Sequence, residues 1–160
     1  MGAAFFYHLT RQPIDVTLPM LIGKARGAGW RILVRGRSAD RMDWLDQKLW
    51  LQGDESFLPH GLAGGPHDAD QPVLLTHESS SNGNAAGCLM SIDGAPVTPD
   101  EVRAADRVCI LFDGHDLDAV AHARTQWKAL TDAGCAAQYW SEESGRWEKK
   151  LKKQKANSLS

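Results

Sequence analysis

The sequence predicts an α/β fold with a mostly parallel central sheet, and three observations predict it. Short apolar segments alternate with segments of helical periodicity along most of the chain. The run Val108–Phe112 (VCILF) is continuously apolar, which is typical of a parallel strand covered on both faces. The 160 residues, 42% of them hydrophobic, suffice for one domain with one core. We therefore expect a single three-layer domain with VCILF near the centre of its sheet.

The first elements of the chain are a strand, a helix and a second strand. Phe5–Leu9 is a short aromatic-rich segment that predicts the first strand. Thr17 is a candidate N-cap for a helix over Leu18–Ala28. Arg31–Val34 then predicts a second short strand.

A second helix is predicted next, capped by Ser38 or Asp40. Residues at helical spacing give it one apolar face: Met42, Trp44, Leu45, Leu49 and Trp50. Residues 52–72 contain four Gly and three Pro, which indicates a loop. Strands are expected at Val73–Thr76 and Cys88–Ile92.

The last third of the chain predicts a short helix, the VCILF strand, a long helix and a final strand. Pro99 follows Thr98 at the first position of the short helix. The long helix should begin after Asp116 or Asp118 and end before Gly134. Cys135–Trp140 is expected to be the last strand. Parallel strands joined in this way commonly bind ligands at their carboxyl ends.

The motifs that cradle phosphates are missing from the chain. No G-x-x-x-x-G-K-[ST] loop is present, and no G-x-G-x-x-G follows the first strand. The six histidines are scattered without the spacing of metal ligands. We therefore expect neither a metal nor another cofactor.

The strongest enzyme-like cluster is Asp113-Gly114-His115-Asp116, which follows the VCILF strand. Two carboxylates and an imidazole at that place can hold a metal or perform acid–base chemistry. The alternative interpretation is a turn followed by a helix N-cap, since Asp and Gly favour both. A small nucleotide- or metal-dependent hydrolase using Asp113, His115 and Asp116 is the enzymatic hypothesis.

The distribution of charge divides the chain into two parts. Residues 146–155 carry six Lys/Arg and one Glu, a balance of +5, whereas the residues before them carry 12 Lys/Arg and 19 Asp/Glu, a balance of −7. We predict an α/β domain over 1–145 and a basic, disordered tail over 146–160. The tail either only solubilises the chain or is a weak, salt-sensitive electrostatic arm for DNA or an acidic partner. The acidic body does not suggest direct DNA binding.

The cysteine usage and the apolar runs bear on where the protein acts. Three widely spaced cysteines without a C-x-x-C pair indicate thiols in a reducing compartment. No apolar run is long enough to span a bilayer. We expect a cytoplasmic protein without a membrane partner.

The long helix carries a possible binding surface. Leu117, Val120, Trp127 and Leu130 form an apolar stripe that should face the sheet. Arg124, Trp127 and Lys128 stand at i, i+3 and i+4, so they are neighbours on the helix surface. A guanidinium, an ammonium and an aromatic edge can accept a short peptide with carboxylates and an apolar side chain. The alternative is an amphipathic core helix with a solvated basic edge.

Three segments of the chain form a recognisable set: LDQKLW (Leu45–Trp50), DESFLPHGLAG (Asp54–Gly64) and ARTQWKALTDAG (Ala123–Gly134). The first two together resemble the chi subunit of bacterial DNA polymerase III holoenzyme, and the third is similar to that family's Ala-Arg-x-x-Tyr-Lys pattern. The resemblance covers about residues 3–140. It implies a mononucleotide-binding-like α/β sheet that lacks a phosphate loop, and a clamp-loader accessory subunit without catalytic activity of its own.

The resemblance also implies partners and site residues. The family binds the acidic C-terminal tail of single-stranded-DNA-binding protein, which ends in Pro-Phe, and reaches DNA only through its partners. Arg124 matches the arginine that meets the tail's carboxylate, Trp127 stands where a Tyr is usual, and Lys128 matches the following Lys. Val120 and Leu130 replace a Lys and a Tyr of the family pattern.

A second interface is implied at Phe57. It matches a family Phe on the surface that contacts the psi subunit or alternative partners, through which the chain joins the clamp loader. The alternative is that Phe57 anchors its loop over the core.

Overall fold

A computed structural model describes residues 3–10, 13–50, 60–62, 71–77, 86–141 and 148–153. The helices are α1 (Ile14–Gly27), α2 (Ala39–Trp50), α3 (Pro99–Ala104) and α4 (Leu117–Asp132). The strands are β1 (Ala3–Leu9), β2 (Ile32–Arg35), β3 (His60–Leu62), β4 (Val73–Thr76), β5 (Cys88–Ser91), β6 (Arg107–Asp113), β7 (Ala136–Ser141) and β8 (Glu148–Lys153).

The described strands form one eight-stranded sheet with the order β3-β4-β2-β5-β6-β1-β7-β8. Every neighbouring pair from β3 to β7 is parallel, and β8 pairs antiparallel with β7. The strand β6, which contains VCILF, lies between β5 and β1. The predicted α/β class and the placement of VCILF near the centre of the sheet are therefore confirmed.

The sheet separates two apolar layers because successive strand residues point to opposite faces. On one face, Leu18 and Ile22 of α1 and Leu45 of α2 pack with alternate strand residues. On the other face, Val102 of α3 and Leu130 of α4 pack with the intervening strand residues. Helices therefore cover both faces, which gives the three layers that the sequence predicts.

The first helix begins earlier than predicted. Its first residue is Ile14, and Pro13 is the N-cap residue with φ −70° and no side-chain cap bond. The prediction that Thr17 caps this helix is wrong, because Thr17 lies fully buried inside α1. Proline has the backbone geometry that precedes a helix, so it starts α1 without the hydroxyl that the sequence rule looks for.

The buried stripe of α4 differs from the predicted one. Ala123, Gln126 and Leu130 are the buried residues of this helix, and Val120 and Trp127 are half-buried beside them. Leu117 is 83% exposed, so the prediction that it faces the sheet is wrong. At 3.6 residues per turn, Leu117 lies about 140° around the helix from Leu130, outside the face that meets the sheet.

The chain continues past the strand that was expected to be the last. Glu148–Lys153 form β8, whereas the sequence predicts a disordered tail there. The edge of β7 supplies hydrogen-bond partners for this lysine-rich segment, a tertiary effect that overrides its weak strand propensity. The division of the chain at residue 145 stays a prediction.

The interior contains the cysteines, and the described helices are short. All three cysteines are buried free thiols. Among the residues that the structure describes, no helix combines the length and the apolarity that crossing a membrane requires.

Candidate functional site

The long helix α4 presents the predicted peptide-binding residues. Its start is fixed by Asp116, whose side chain accepts hydrogen bonds from the backbone N–H groups of Asp118 and Ala119. Its end is followed by Gly134, which has a φ of +88° that favours glycine. Both ends follow from the local sequence, so the helix is a rigid support for its surface side chains.

Arg124, Trp127 and Lys128 lie on the flank of α4 that faces away from the sheet centre. Arg124 and Lys128 are exposed, and Trp127 is half-buried. Arg124 and Lys128 are one helical turn apart, and Trp127 adjoins both on the side toward the core. The structure therefore brings together the three residues in the arrangement that their spacing predicts.

Trp127 packs, on the side toward the sheet, against an aromatic cluster. Its ring meets Phe6 of β1 edge-on at 5.3 Å between centroids, and meets Tyr139 of β7 at 6.2 Å and 78°. Tyr139 is itself half-buried, and its hydroxyl is 2.7 Å from Nδ1 of His8. Edge-to-face contacts of this kind hold an aromatic ring in place, so the indole edge beside Arg124 is a fixed apolar surface.

The two cations of this flank differ in their partners. Lys128 forms an ion pair with Asp132, at 3.4 Å between Nζ and Oδ2, and both side chains are well exposed. Arg124 has no ion-pair partner among the described residues. The guanidinium of Arg124 is therefore available for the carboxylate of a ligand. Lys128 must first release the carboxylate of Asp132 before it can pair with that of a ligand.

Tyr139 is a residue that the sequence did not single out for this surface. Tyr139 contacts Trp127 because α4 packs against β7. Nothing in the local pattern of β7 marks Tyr139 as a neighbour of Trp127. Only the strand order, with β7 beside β1, reveals this contact.

Phe57, the predicted partner-interface residue, lies outside the residues that the structure describes. Its role stays a prediction, as does the alternative that it anchors its loop.

The cluster Asp113-Gly114-His115-Asp116 forms the turn between β6 and α4. The carboxylate of Asp113 accepts a hydrogen bond from the backbone N–H of His115, and Asp116 caps α4. The His115 ring nitrogen Nε2 lies 2.7 Å from the carbonyl oxygen of Thr10. Gly114 packs so closely against the His8 ring that a Cβ there would collide with it. Each of these residues therefore has a structural partner, which favours the turn-and-cap interpretation over the hydrolase hypothesis.

Metal binding and thiol chemistry find little support in the described part of the chain. No group of three or more His, Cys, Asp or Glu side chains there could hold a metal ion. Cys109 lies buried beside Cys88, and a hydrogen bond with Cys88 together with burial raises the pKa of the Cys109 thiol well above its usual value. A thiol held in its protonated form is a poor nucleophile.

Comparisons with known proteins point to one family. A family model described as "DNA polymerase III chi subunit, HolC" matches residues 1–138. The chain is also similar to a curated protein of Rickettsia prowazekii (strain Madrid E), named "Probable DNA polymerase III subunit chi", with 25% identity over 80 residues. That match covers 50% of this chain and 48% of the relative, about half the length of each.

Proposed function

This chain belongs to the DNA polymerase III chi subunit family, and on that premise we propose that it acts as a clamp-loader accessory subunit in DNA replication in the cytoplasm. In this role it binds the acidic C-terminal tail of single-stranded-DNA-binding protein. It thereby links the polymerase holoenzyme to coated template DNA without contacting the DNA itself. The tail-binding residues are Arg124, Trp127 and Lys128.

The observation that carries the proposal is the exposed Arg124, which has no ion-pair partner in the described part of the chain, next to the indole of Trp127 that Phe6 and Tyr139 hold in place. A peptide that ends in Phe offers a carboxylate and an aromatic ring on the same residue. The planar guanidinium of Arg binds a carboxylate through two parallel N–H donors. An aromatic ring packs favourably against the edge of another ring. The C-terminal Phe of the peptide can therefore pair its carboxylate with Arg124 and pack its ring against Trp127 at the same time.

Lys128 makes a smaller contribution because Asp132 already neutralises part of its charge. Acidic side chains upstream in the tail replace Asp132 as partners of Lys128. The net gain is that of exchanging one exposed ion pair for another, which is small.

The basic segment at the end of the chain assists the encounter. Six Lys/Arg fall within residues 146–155, and β8 lies beside β7, the strand that carries Tyr139. Clustered positive charge accelerates the approach of an acidic peptide and makes the rate sensitive to salt. This segment is therefore an electrostatic guide toward the α4 surface.

Attachment to the clamp loader uses Phe57 rather than the tail-binding residues, through the psi subunit where one exists. Phe57 lies 67 positions before Arg124 in the chain. Using different residues for the two partners would allow the subunit to hold the clamp loader and the tail of single-stranded-DNA-binding protein at the same time.

Fluorescence anisotropy with a labelled acidic peptide ending in Pro-Phe tests tail binding. We expect the free-acid peptide to bind, and the same peptide with an amidated C-terminus to bind about thirty- to a hundredfold more weakly, since amidation removes the carboxylate that Arg124 pairs with. A peptide with the same composition but an internal Phe is the control for charge alone. If amidation leaves the dissociation constant unchanged, the proposed role of Arg124 is wrong.

A pull-down from native extract with the full chain as bait tests the wider role. We expect it to recover single-stranded-DNA-binding protein together with clamp-loader subunits. Recovery of neither contradicts the proposal.

A further inference from the structure

The β8 edge of the sheet lies close to the proposed tail-binding surface. Trp127 on α4 contacts Tyr139 on β7, with 6.2 Å between the ring centroids. Tyr139 is in turn paired in register with Leu151 of β8. Neighbouring strands are about 4.8 Å apart, so a strand added beside β8 would lie about 10 Å from β7. One extended peptide can therefore contact both the α4 surface and this edge.

The strand β8 is paired on one side only among the described strands. It pairs antiparallel with β7, and no other described strand lies beside it. In such a pair, alternate backbone N–H and C=O groups of the outer strand point away from its partner. These groups are donors and acceptors at regular spacing, which is what an extended peptide needs to join a sheet as an extra strand.

The sequence of β8 determines which peptides its edge favours. The six residues Glu148–Lys153 contain four lysines and one glutamate, a balance of +3. Opposite charges on neighbouring strands stabilise a sheet, and like charges destabilise it. The edge of β8 therefore favours an acidic extended segment over a neutral or a basic one.

Basic residues continue from the α4 surface toward β8. Arg124 and Lys128 are exposed on α4, one turn apart, and Lys128 is the nearer of the two to the end of the helix. The next element is β7, and Ala137 near its start is opposite Lys153 of β8. A peptide that begins at Arg124 and passes Lys128 therefore runs toward the lysine-rich end of β8.

From this arrangement we propose that the edge of β8 binds the acidic segment that precedes the C-terminal Phe of the tail, as an added β-strand. This binding mode rests on the proposed function, in which Arg124 and Trp127 hold the terminal Phe. At about 3.3 Å per residue, about three to five extended residues span the distance from that Phe to the edge of β8. Backbone hydrogen bonds then give the acidic segment a fixed register, which attraction by charge alone does not give.

Backbone N-methylation of a peptide distinguishes strand addition from attraction by charge. The reference probe is the labelled nine-residue peptide Thr-Asp-Thr-Asp-Thr-Asp-Asp-Pro-Phe. One derivative carries N-methyl groups on its second and fourth residues, and the other carries them on its third and fifth. Each N-methyl group removes a donor, and alternate residues of a strand donate to the same side. We expect fluorescence anisotropy to show a loss of about five- to twentyfold for one derivative and of less than about twofold for the other.

Two measurements on the full chain locate the added strand. Hydrogen exchange followed by NMR should slow at alternate amides of Glu148–Lys153 when the nine-residue peptide is bound, because only those amides point toward the added strand. Lys152→Gln should weaken binding of this peptide about two- to threefold and leave binding of the short peptide Asp-Asp-Pro-Phe unchanged. Lys24→Gln, which removes an exposed lysine from α1, is the matched control and should leave both affinities unchanged.

The short peptide separates strand addition from the proposed function. We expect the nine-residue peptide to bind at least about fivefold more tightly than the short one. If the short peptide binds through its C-terminal carboxylate but the longer one binds no more tightly, tail binding stands and strand addition is wrong. Equal losses for the two N-methylated derivatives, or no loss for either, also overturn strand addition. If neither peptide binds, strand addition and the proposed function are both wrong.

Discussion

Arg35 of β2 and Glu101 of α3 form a bidentate ion pair that connects the strand to the helix. The Arg35 guanidinium donates to both carboxylate oxygens of Glu101, at 3.0 and 2.6 Å, and also to the carbonyl oxygen of Pro96 at 3.1 Å. Arg35 is 1% exposed, so its charge depends on these acceptors. Burial alone would raise the pKa of the Glu101 carboxyl, but hydrogen bonds from Arg35 and from Thr98 hold that pKa below its usual value.

The first prediction is that Glu101 makes the stability of the fold dependent on pH. Because the folded-state pKa of Glu101 lies below its ordinary value of 4.5, the pair stabilises the fold above that pH. The stabilisation is lost as the pH falls through the folded-state pKa. Glu101→Gln should lower the free energy of unfolding by about 2 kcal/mol near neutral pH, and by progressively less below pH 4.5.

Urea unfolding over a pH series checks this dependence. Asp100→Asn is the matched control, since Asp100 lies on the same short helix but is 96% exposed. Its stability curve should follow that of the unchanged chain. A Glu101→Gln curve parallel to that of the unchanged chain at every pH would contradict the prediction.

The second prediction concerns the two cations of α4. Arg124→Ala should weaken binding of the acidic peptide by about 2–3 kcal/mol, roughly thirty- to more than a hundredfold, because it removes a charge-assisted contact to the terminal carboxylate. Lys128→Ala should cost about 0.2–1 kcal/mol, as expected for an exposed ion pair. Lys24→Ala, an exposed lysine on α1, controls for the loss of one positive charge. Equal losses in all three variants would mean that only net charge matters.

The third prediction concerns the indole of Trp127. Trp127→Phe keeps an aromatic ring near Phe6 and Tyr139 and should weaken peptide binding only a few fold. Trp127→Ala should abolish most binding and also lower the free energy of unfolding by about 2 kcal/mol, since the indole is half-buried. Anisotropy and urea unfolding on the same samples separate the two effects. If a folded Trp127→Ala protein binds the peptide as tightly as the unchanged chain does, the indole does not contribute to the binding site.

The fourth prediction is that the two proposed interfaces fail independently. Phe57→Ala should weaken recovery of clamp-loader subunits in a pull-down and leave peptide binding by anisotropy intact. Arg124→Ala should show the reverse pattern. A Phe57→Ala chain that unfolds, or that loses peptide binding equally, would favour the interpretation of Phe57 as a loop anchor.

The fifth prediction is that β6 exchanges its amide hydrogens most slowly. Val108–Phe112 lie between β5 and β1 in the middle of the sheet, and all five residues are buried. Hydrogen exchange monitored by NMR should show strong protection there and weaker protection at Gly61 and Leu62, in a strand that pairs only with β4 among the described strands. Comparable exchange in the two strands would contradict this ranking.

The parts of the fold that follow from local pattern were predictable from the sequence. VCILF is apolar at every position, and α4 has an Asp cap and a terminal glycine, so both elements were placed within a few residues. The grouping of Arg124, Trp127 and Lys128 likewise follows from helical spacing alone.

The remaining features depend on contacts between distant parts of the chain. An arginine is rarely buried, and the partner that allows it at Arg35 lies 66 residues away. Gln126 lines a cleft whose other walls come from the segments that follow β1, β2, β5 and β6. The strand β8 has little strand propensity of its own, and forms where β7 offers an edge. Sequence periodicity contains no signal for any of these relationships.

The antiparallel strand β8 has a consequence for the behaviour of the protein at high concentration. An uncovered outer strand is where copies of a chain stack edge to edge and aggregate. Among the described strands, β8 forms this border of the sheet, and its sequence contains four lysines in six residues, Lys149, Lys150, Lys152 and Lys153. Two such borders repel each other at low ionic strength, and salt weakens that repulsion. Concentrated stocks of this protein should therefore stay clear in dilute buffer and become turbid sooner as salt is added.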